Sequence, residues 1–276
     1  MSAAGGSPNH ERYWSIEQAG PLAIVRLGGD FLDLAVDLPM FGDWLDAFER
    51  AGTSPDSRAL LLLASRDCFS LERCDRFWRE IAEQAADGKR RRGTSTELTV
   101  AREEYGAMRM VRLVRRIPKP VVAAAQGEIE FPFMGLALAC DSRIISDDTV
   151  FHNRCHELGM PPAIGLGCML PHYVGLGRAT DLLMRPSEID GTRALELGIV
   201  DEVLPAEDFE EAAIDAARLW TRLSPGVAAA TKRLLNVHLA DLDEHFRVEM
   251  REVETAAARF AAGTPSERIA QRSQPK

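Results

Sequence analysis

The stretch that decides the fold is IPKPVVAAAQG at residues 117–127, which is followed by Cys140-Asp141. The prolines at 118 and 120 end the helical pattern before them, because proline lacks a backbone N–H donor. The run at residues 121–125 is apolar without alternation, which is typical of a strand buried on both faces. Small and aliphatic residues at 133–140 then predict a short helix. Together they predict a buried strand, a turn and a packed helix.

The same alternation extends outward in both directions and predicts an α/β fold with parallel strands. Residues 14–18 and 22–27 predict a hairpin, residues 59–64 a buried strand, and residues 75–86 and 103–116 helices. Beyond residue 205 the pattern is nearly all helical. The sequence therefore predicts three parts: a disordered leader at residues 1–10, a core at residues 11–205 and a helical region at residues 206–276.

Composition excludes several functional classes. The 276 residues carry a net charge of −9, which argues against a nucleic-acid partner, because phosphate binding requires a basic surface. No apolar run approaches the ~18 residues that a membrane span requires. Five cysteines without a CxxC pair indicate neither a disulfide framework nor a metal site. We therefore expect a cytoplasmic protein without a membrane or metal partner.

Several segments resemble the crotonase (enoyl-CoA hydratase/isomerase) superfamily, and they occur in the family's order and at its spacing. Besides residues 117–127 and Cys140-Asp141, they are VGLGRA at 174–179, ALELGIV at 194–200, and Ser224-Pro225 followed by Lys232. The resemblance implies a crotonase/ClpP-like spiral of ββα units with a C-terminal helical trimerisation region. It also implies a homotrimer or a hexamer.

The resemblance implies an acyl thioester substrate, carried on coenzyme A or on the phosphopantetheine arm of a carrier protein, and no separate cofactor. The family holds the thioester oxygen with two backbone N–H groups, whose positions match Pro132 and Arg73. Proline has no N–H, so either the neighbouring Phe133 supplies that donor or the oxyanion hole is not used in the usual way. The two glutamates of the family's hydratases match Gly135 and Cys155, so neither carboxylate is present.

Other residues near these positions are candidates for proton chemistry. Glu128 and Glu130 precede Pro132, and a strand-like alternation would place both on one face as a coupled carboxylate pair, or they are exposed loop charges. Cys155 is a nucleophile, a proton donor or a small buried filler. His156 and Glu157 suit acid–base work or a structural role.

Two further features bear on the ligand. Phe131 and Phe133 crowd the turn before the short helix and would reshape the substrate pocket. Lys89 to Arg92 form a basic cluster, which is a solvated loop or a site that attracts a phosphorylated ligand.

Three hypotheses follow. The first is an enzyme that acts on an acyl thioester by hydration or dehydration, double-bond isomerisation or decarboxylation, through an enolate-like intermediate. The second is a non-catalytic relative that serves as a partner subunit or binding protein. The third is an enzyme for a bulky apolar substrate that does not carry coenzyme A.

Overall fold

The computed structural model describes residues 10–86, 96–239 and 241–261. Most of the predicted leader and the whole basic cluster from Lys89 to Arg92 lie outside these residues. In the part of the chain that is described, no helix is both long and apolar enough to cross a bilayer.

The core is a six-stranded sheet with the strand order β1-β2-β3-β4-β6-β9. The predicted hairpin forms its edge, where β1 and β2 are antiparallel, and every other neighbouring pair is parallel. The central strands are apolar on both faces because helices cover both sides of the sheet. The six strands are β1 (Trp14–Ala19), β2 (Leu22–Leu27), β3 (Ala59–Ala64), β4 (Val121–Ala125), β6 (Ser142–Ser146) and β9 (Glu202–Leu204).

A second sheet of three short strands is built from β5 (Glu128–Glu130), β7 (Val150–Asn153) and β8 (Ser187–Asp190). Strands β5 and β7 are parallel, whereas β7 and β8 are antiparallel. The sequence pattern predicts a turn at Glu128 to Glu130, and it predicts no strand at β8. Both are strands, because their backbones pair with β7. From β4 to β9 the chain passes repeatedly between the two sheets, and helices follow β5, β7 and β8, which gives the spiral.

The helices fill the spaces between strands and dominate the last third of the chain. A 3-10 helix (Phe31–Val36) precedes α1, and two more (Leu219–Arg222 and Asn236–Leu239) flank α10. The α-helices are α1 (Leu38–Thr53), α2 (Leu71–Ala86), α3 (Thr96–Arg116), α4 (Phe131–Ala139), α5 (Cys155–Leu158), α6 (Leu166–Val174), α7 (Leu176–Met184), α8 (Gly191–Glu196), α9 (Phe209–Arg218), α10 (Pro225–Leu235) and α11 (Leu242–Ala261).

Helices α9 and α11 each pack against the core. Phe209, Ala213 and Ala217 of α9 pack on one face of the main sheet. Helix α11 lies against α3, where Nε of Arg112 donates to Oδ1 of Asp243 at 2.7 Å. The opposite face of the sheet carries the larger apolar cluster, which contains α4 and α6. This cluster supports the candidate site.

Asp141 explains why the deciding stretch and the later Cys-Asp pair belong together. Its Oδ2 accepts a hydrogen bond from the backbone N–H of Val121 at 2.8 Å and from Nζ of Lys232 at 2.6 Å. Lys232 also donates to the carbonyl of Lys119 at 3.1 Å. One carboxylate thus ties the start of β4, the end of α4 and helix α10 together.

Candidate active site

Three helices begin close together at one end of the second sheet, and the residues at their starts form the candidate site. Helix α4 follows β5 directly, α5 follows β7 after one residue, and Asp75 of α2 is linked to both through Arg154. Free N–H groups at helix starts favour negative charge. The site therefore combines a positive backbone environment with the polar side chains of these turns.

Glu130 is the buried carboxylate of the site. It is the residue that precedes α4, and only 2% of its side chain is exposed. Its carboxylate does not cap the helix but turns to Arg154, whose Nε donates to Oε1 at 2.7 Å. Arg154 also donates from Nη2 to Oδ1 of Asp75 at 2.8 Å. The guanidinium of Arg154 thus joins carboxylates from β5 and α2.

Burial raises the pKa of Glu130 above the ordinary value of a glutamate, and the guanidinium of Arg154 opposes that shift. The nearby charges of Asp75 and Glu157 add to the rise. Burial lowers the pKa of Arg154, because it disfavours the charged guanidinium. The hydrogen bonds and charges of Asp75 and Glu130 outweigh burial, so the pKa of Arg154 is raised. The arrangement therefore holds one permanent cation beside a carboxyl group that gains a proton more readily than usual.

Glu128 lies in a different environment from Glu130. Its side chain is 62% exposed, and its Oε1 is 3.8 Å from Nε2 of His152. On the other side of that ring, Nδ1 of His152 is 3.3 Å from Oε1 of Glu188. The expectation of a coupled Glu128–Glu130 pair is therefore not supported, because Arg154 holds Glu130 whereas Glu128 faces His152.

The residues at the start of α5 differ in their access to the core. Cys155 is buried, and its backbone N–H donates to Oδ1 of Asn153 at 3.3 Å. His156 points outward and is 3.8 Å from Glu157, measured from Nε2 to Oε1. The described contacts thus place Cys155 on the core side and His156 on the solvent side, which does not favour a dyad of these two residues.

The two positions expected to supply oxyanion donors, Pro132 and Arg73, lie in the first turns of α4 and α2. Pro132 lies in the first turn of α4, so that turn presents the N–H of Phe133 instead. The N–H of Arg73 lies in the first turn of α2 and donates to Oγ of Ser70 at 3.2 Å. The Arg73 side chain is buried, donates from Nε to the carbonyl of Gly29 at 3.0 Å and pairs with Asp33. The expected donor N–H of Arg73 is therefore already engaged in capping α2.

Aromatic rings fill the space between the starts of α2 and α4. Phe133 stacks on Phe69 with ring centroids 4.3 Å apart and an angle of 19° between the rings, while Phe131 is fully buried. Two small cavities of about 40 and 50 Å³ border this stack. The larger one is lined only by apolar residues, among them Phe31, Leu136 and Ile164. The predicted crowding of the turn takes the form of the stacked rings of Phe69 and Phe133.

Gly135 has no room for a side chain. A Cβ built there would lie 2.3 Å from the carbonyl oxygen of Ile164 and 3.0 Å from its carbonyl carbon. Backbone atoms of the segment before α6 therefore leave no space for a side chain at position 135.

Sequence reasoning missed three residues that shape the site. Arg154 and Asp75 complete the buried polar group, and Ile164 covers Gly135. The sequence could have indicated Arg154, because it directly precedes Cys155 and a buried carboxylate such as Glu130 requires a cationic partner. The position of Ile164 had no local signal, because it depends on packing between distant segments.

The spiral of strands and helices, together with the three helix starts, defines a protein of the crotonase superfamily. The family model described as "Enoyl-CoA hydratase/isomerase" matches residues 35–257, and the chain belongs to this family.

Solved structures share this fold. An enoyl-CoA hydratase from Mycobacterium avium subsp. paratuberculosis K-10 has a TM-score of 0.73 and 21% identity, over 95% of this chain and 97% of that one. An enoyl-CoA hydratase from Bacillus halodurans has a TM-score of 0.72 and 19% identity, over 94% of this chain and 99% of that one. An enoyl-CoA hydratase/isomerase from Cupriavidus metallidurans CH34 has a TM-score of 0.66 and 24% identity, over 94% of this chain and 92% of that one.

Proposed function

We propose that this protein is an enzyme that acts on an acyl thioester and that Glu130 transfers the proton. The observation that carries the proposal is a buried carboxylate with a raised pKa at the start of α4. A carboxyl group whose pKa is shifted toward the working pH exchanges protons more effectively with a carbon acid. The family relationship supports an acyl group on coenzyme A or on a phosphopantetheine arm as the substrate.

A single proton-transferring carboxylate favours isomerisation over hydration. Hydration requires one group that activates water and another that delivers a proton, and both family glutamate positions lack a carboxylate. Isomerisation requires only one group, which removes a proton and returns it to another carbon. In this scheme Glu130 breaks a C–H bond at carbon 2 of a 3-enoyl thioester, and the electron pair moves to the thioester oxygen. The protonated Glu130 then delivers a proton to carbon 4, which leaves a 2-enoyl thioester. Exchange of the carboxyl proton with solvent between the two steps lets solvent hydrogen enter the product.

The enolate oxygen in this scheme requires at least one hydrogen-bond donor. The N–H of Phe133 in the first turn of α4 is the best candidate, since Pro132 has none. Arg154 adds positive charge next to Glu130. An N–H group placed at the developing oxyanion is worth about 3–4 kcal/mol of barrier lowering in other enzymes.

The direct test incubates the protein with short 2-enoyl and 3-enoyl thioesters in deuterated water and follows deuterium at carbons 2 and 4 by mass spectrometry. We expect deuterium incorporation and a shift of the double bond. Glu130→Gln should lower the rate by about 100-fold or more, because the amide does not accept the proton. Glu211→Gln, at an exposed position on α9, is the matched control and should keep the rate. Full activity of Glu130→Gln would remove Glu130 from the mechanism.

A non-catalytic binding role is the second candidate, and the Phe69–Phe133 stack favours it. The cavities beside the stack have volumes of only about 40 and 50 Å³, so they leave little space for an acyl chain. Binding of acyl-CoA without deuterium exchange at any carbon would support this role. The third hypothesis, an enzyme for a bulky apolar substrate, has the least support, because neither cavity has room for such a substrate.

A further inference from the structure

The C-terminal helix α11 reaches the segment that covers Gly135. The backbone N–H of Gly165 donates to both carboxylate oxygens of Glu249, at 3.1 and 3.0 Å. The Glu249 side chain is 2% exposed and also contacts His245, with 3.1 Å between Oε2 and Nε2. A buried carboxylate from one end of the chain is thus bonded to the backbone just before α6.

The segment that Glu249 holds has an unfavourable backbone conformation. Ile164 has a φ of 60°, and Gly165 follows with a φ of 73°. Glycine adopts the left-handed region at little cost, but a β-branched residue such as isoleucine does not. Ile164 therefore requires contacts from elsewhere to keep this conformation. The hydrogen bonds from Gly165 to Glu249 and the packing of Phe246 against Gly165 supply such contacts.

Ile164 borders two features of the candidate site. Its carbonyl oxygen lies 2.3 Å from the position that a Cβ of Gly135 would take, and the residue also lines the apolar cavity of about 50 Å³ beside Phe133. A change in the position of Ile164 would therefore alter the packing at Gly135 and the wall of this cavity together.

Helix α11 is itself firmly attached at this point. The guanidinium of Arg112 lies over the ring of Phe246 at 4.7 Å from its centre, and it also bonds Asp243 one turn earlier. The buried ring of Phe246 therefore lies between Arg112 of α3 and Gly165, and it packs α11 against both.

We propose that Glu249 is a positioning residue that fixes the segment at residues 159–165 over α4, so that this segment sets the space available beside Gly135. Ile164 contacts Gly135 while Glu249 holds Gly165, and losing that bond lets the segment move away. The consequence for a ligand rests on the function proposed above: a thioester gains room for its acyl chain only when the segment moves.

Hydrogen–deuterium exchange of the ligand-free protein tests the positioning role. Glu249→Leu removes the acceptor and keeps the size of the side chain, and it should speed exchange in a peptide covering residues 159–168 by at least about tenfold. Glu249→Gln keeps an acceptor oxygen, and it should restore exchange to within about threefold of the original rate. Glu252→Leu, an exposed glutamate-to-leucine change on the same helix, should leave exchange unchanged.

The proposal is overturned if Glu249→Leu exchanges like the original protein or if Glu249→Gln is as fast as Glu249→Leu. Equal acceleration across α3 and α11 would also overturn it, because that result is general destabilisation. Binding of butyryl-CoA is measured separately by calorimetry and should be tighter in Glu249→Leu. Faster local exchange with no butyryl-CoA binding in either protein would retain the positioning role and contradict the proposed function instead.

Discussion

Gly135 and Ile164 are in direct backbone contact: the carbonyl oxygen of Ile164 lies 2.3 Å from the position of a Cβ on Gly135. Helix α4 and the segment before α6 approach so closely only because Gly135 lacks a side chain. Any side chain at position 135, a glutamate included, would require the segment before α6 to move.

The first prediction concerns this contact. Gly135→Ala should lower the free energy of unfolding by about 1–3 kcal/mol, because the added methyl group collides with backbone that shifts only at a cost. Urea denaturation followed by circular dichroism measures the change. Gly226→Ala is the control, since Gly226 lies in α10 and a Cβ there meets no atom within 4 Å. The control should be neutral or slightly stabilising, because alanine favours helix over glycine.

An unchanged stability of Gly135→Ala would mean that the segment at Ile164 adapts freely. That result would contradict the close packing and would also weaken the proposed role of Glu249.

The fold could be predicted from the sequence because its signals are local. The continuous apolar runs of β3 and β4 and the prolines before β4 each mark an element without knowledge of the rest of the chain. Strand β8 was missed because it has only four residues and one buried side chain, so that only its pairing with β7 reveals it.

The site was less predictable because its contacts are not local. The alternation at Glu128 and Glu130 predicted one shared face, but the partners that separate the two carboxylates, His152 and Arg154, come from another strand and its end. Ile164 is 29 positions from Gly135, and no residue pattern near either one indicates their contact. The sequence shows that position 135 carries no carboxylate, whereas the contact of Gly135 with Ile164 depends on three-dimensional packing.

A second prediction concerns the ion pair of Asp141 and Lys232. Lys232→Met removes the nearest cation and leaves the mostly buried Asp141 with the N–H of Val121 and with Arg115, whose Nη1 lies 4.0 Å from Oδ1. Breaking one side of a buried pair typically costs about 3–5 kcal/mol. We expect a loss of this size in chemical denaturation. Arg233→Met at the exposed neighbouring position should change stability by less than about 0.5 kcal/mol.

A third prediction follows from the raised pKa of Glu130. A group whose pKa is higher in the folded state binds its proton more tightly there. Its contribution to stability is thus fully present below 4.5, the ordinary pKa of a glutamate, and is lost as pH rises through the folded-state pKa. Glu130→Gln removes this dependence. The stability of the original protein relative to Glu130→Gln should therefore fall as pH rises above 4.5.

Denaturant titrations of both proteins at several pH values between 4 and 8 measure that difference. If the original protein instead becomes more stable relative to Glu130→Gln as pH rises, the effect of Arg154 outweighs that of burial and the pKa of Glu130 is lowered. The proton-transfer role of Glu130 would then lose its main support.

The last prediction concerns the surface around α10. Six apolar side chains are exposed on this helix, on its flanking 3-10 helices and in the link before it, and a cleft of about 540 Å³ lies beside them. Contiguous exposed apolar groups of this kind mark interaction sites. They are Leu219, Leu223, Val227, Leu234, Leu235 and Val237.

We expect these residues to form the subunit contact of a homotrimer, because burying them in a second copy removes apolar surface from water. Leu234→Glu combined with Leu235→Glu should convert the trimer to a monomer in sedimentation-velocity experiments, since two carboxylates would have to be desolvated at the contact. Leu195→Glu, at an exposed leucine on α8, is the control and should leave the sedimentation coefficient unchanged. A protein that sediments as a monomer without any substitution would contradict the prediction, and a trimer that survives the double substitution would place the contact on another surface.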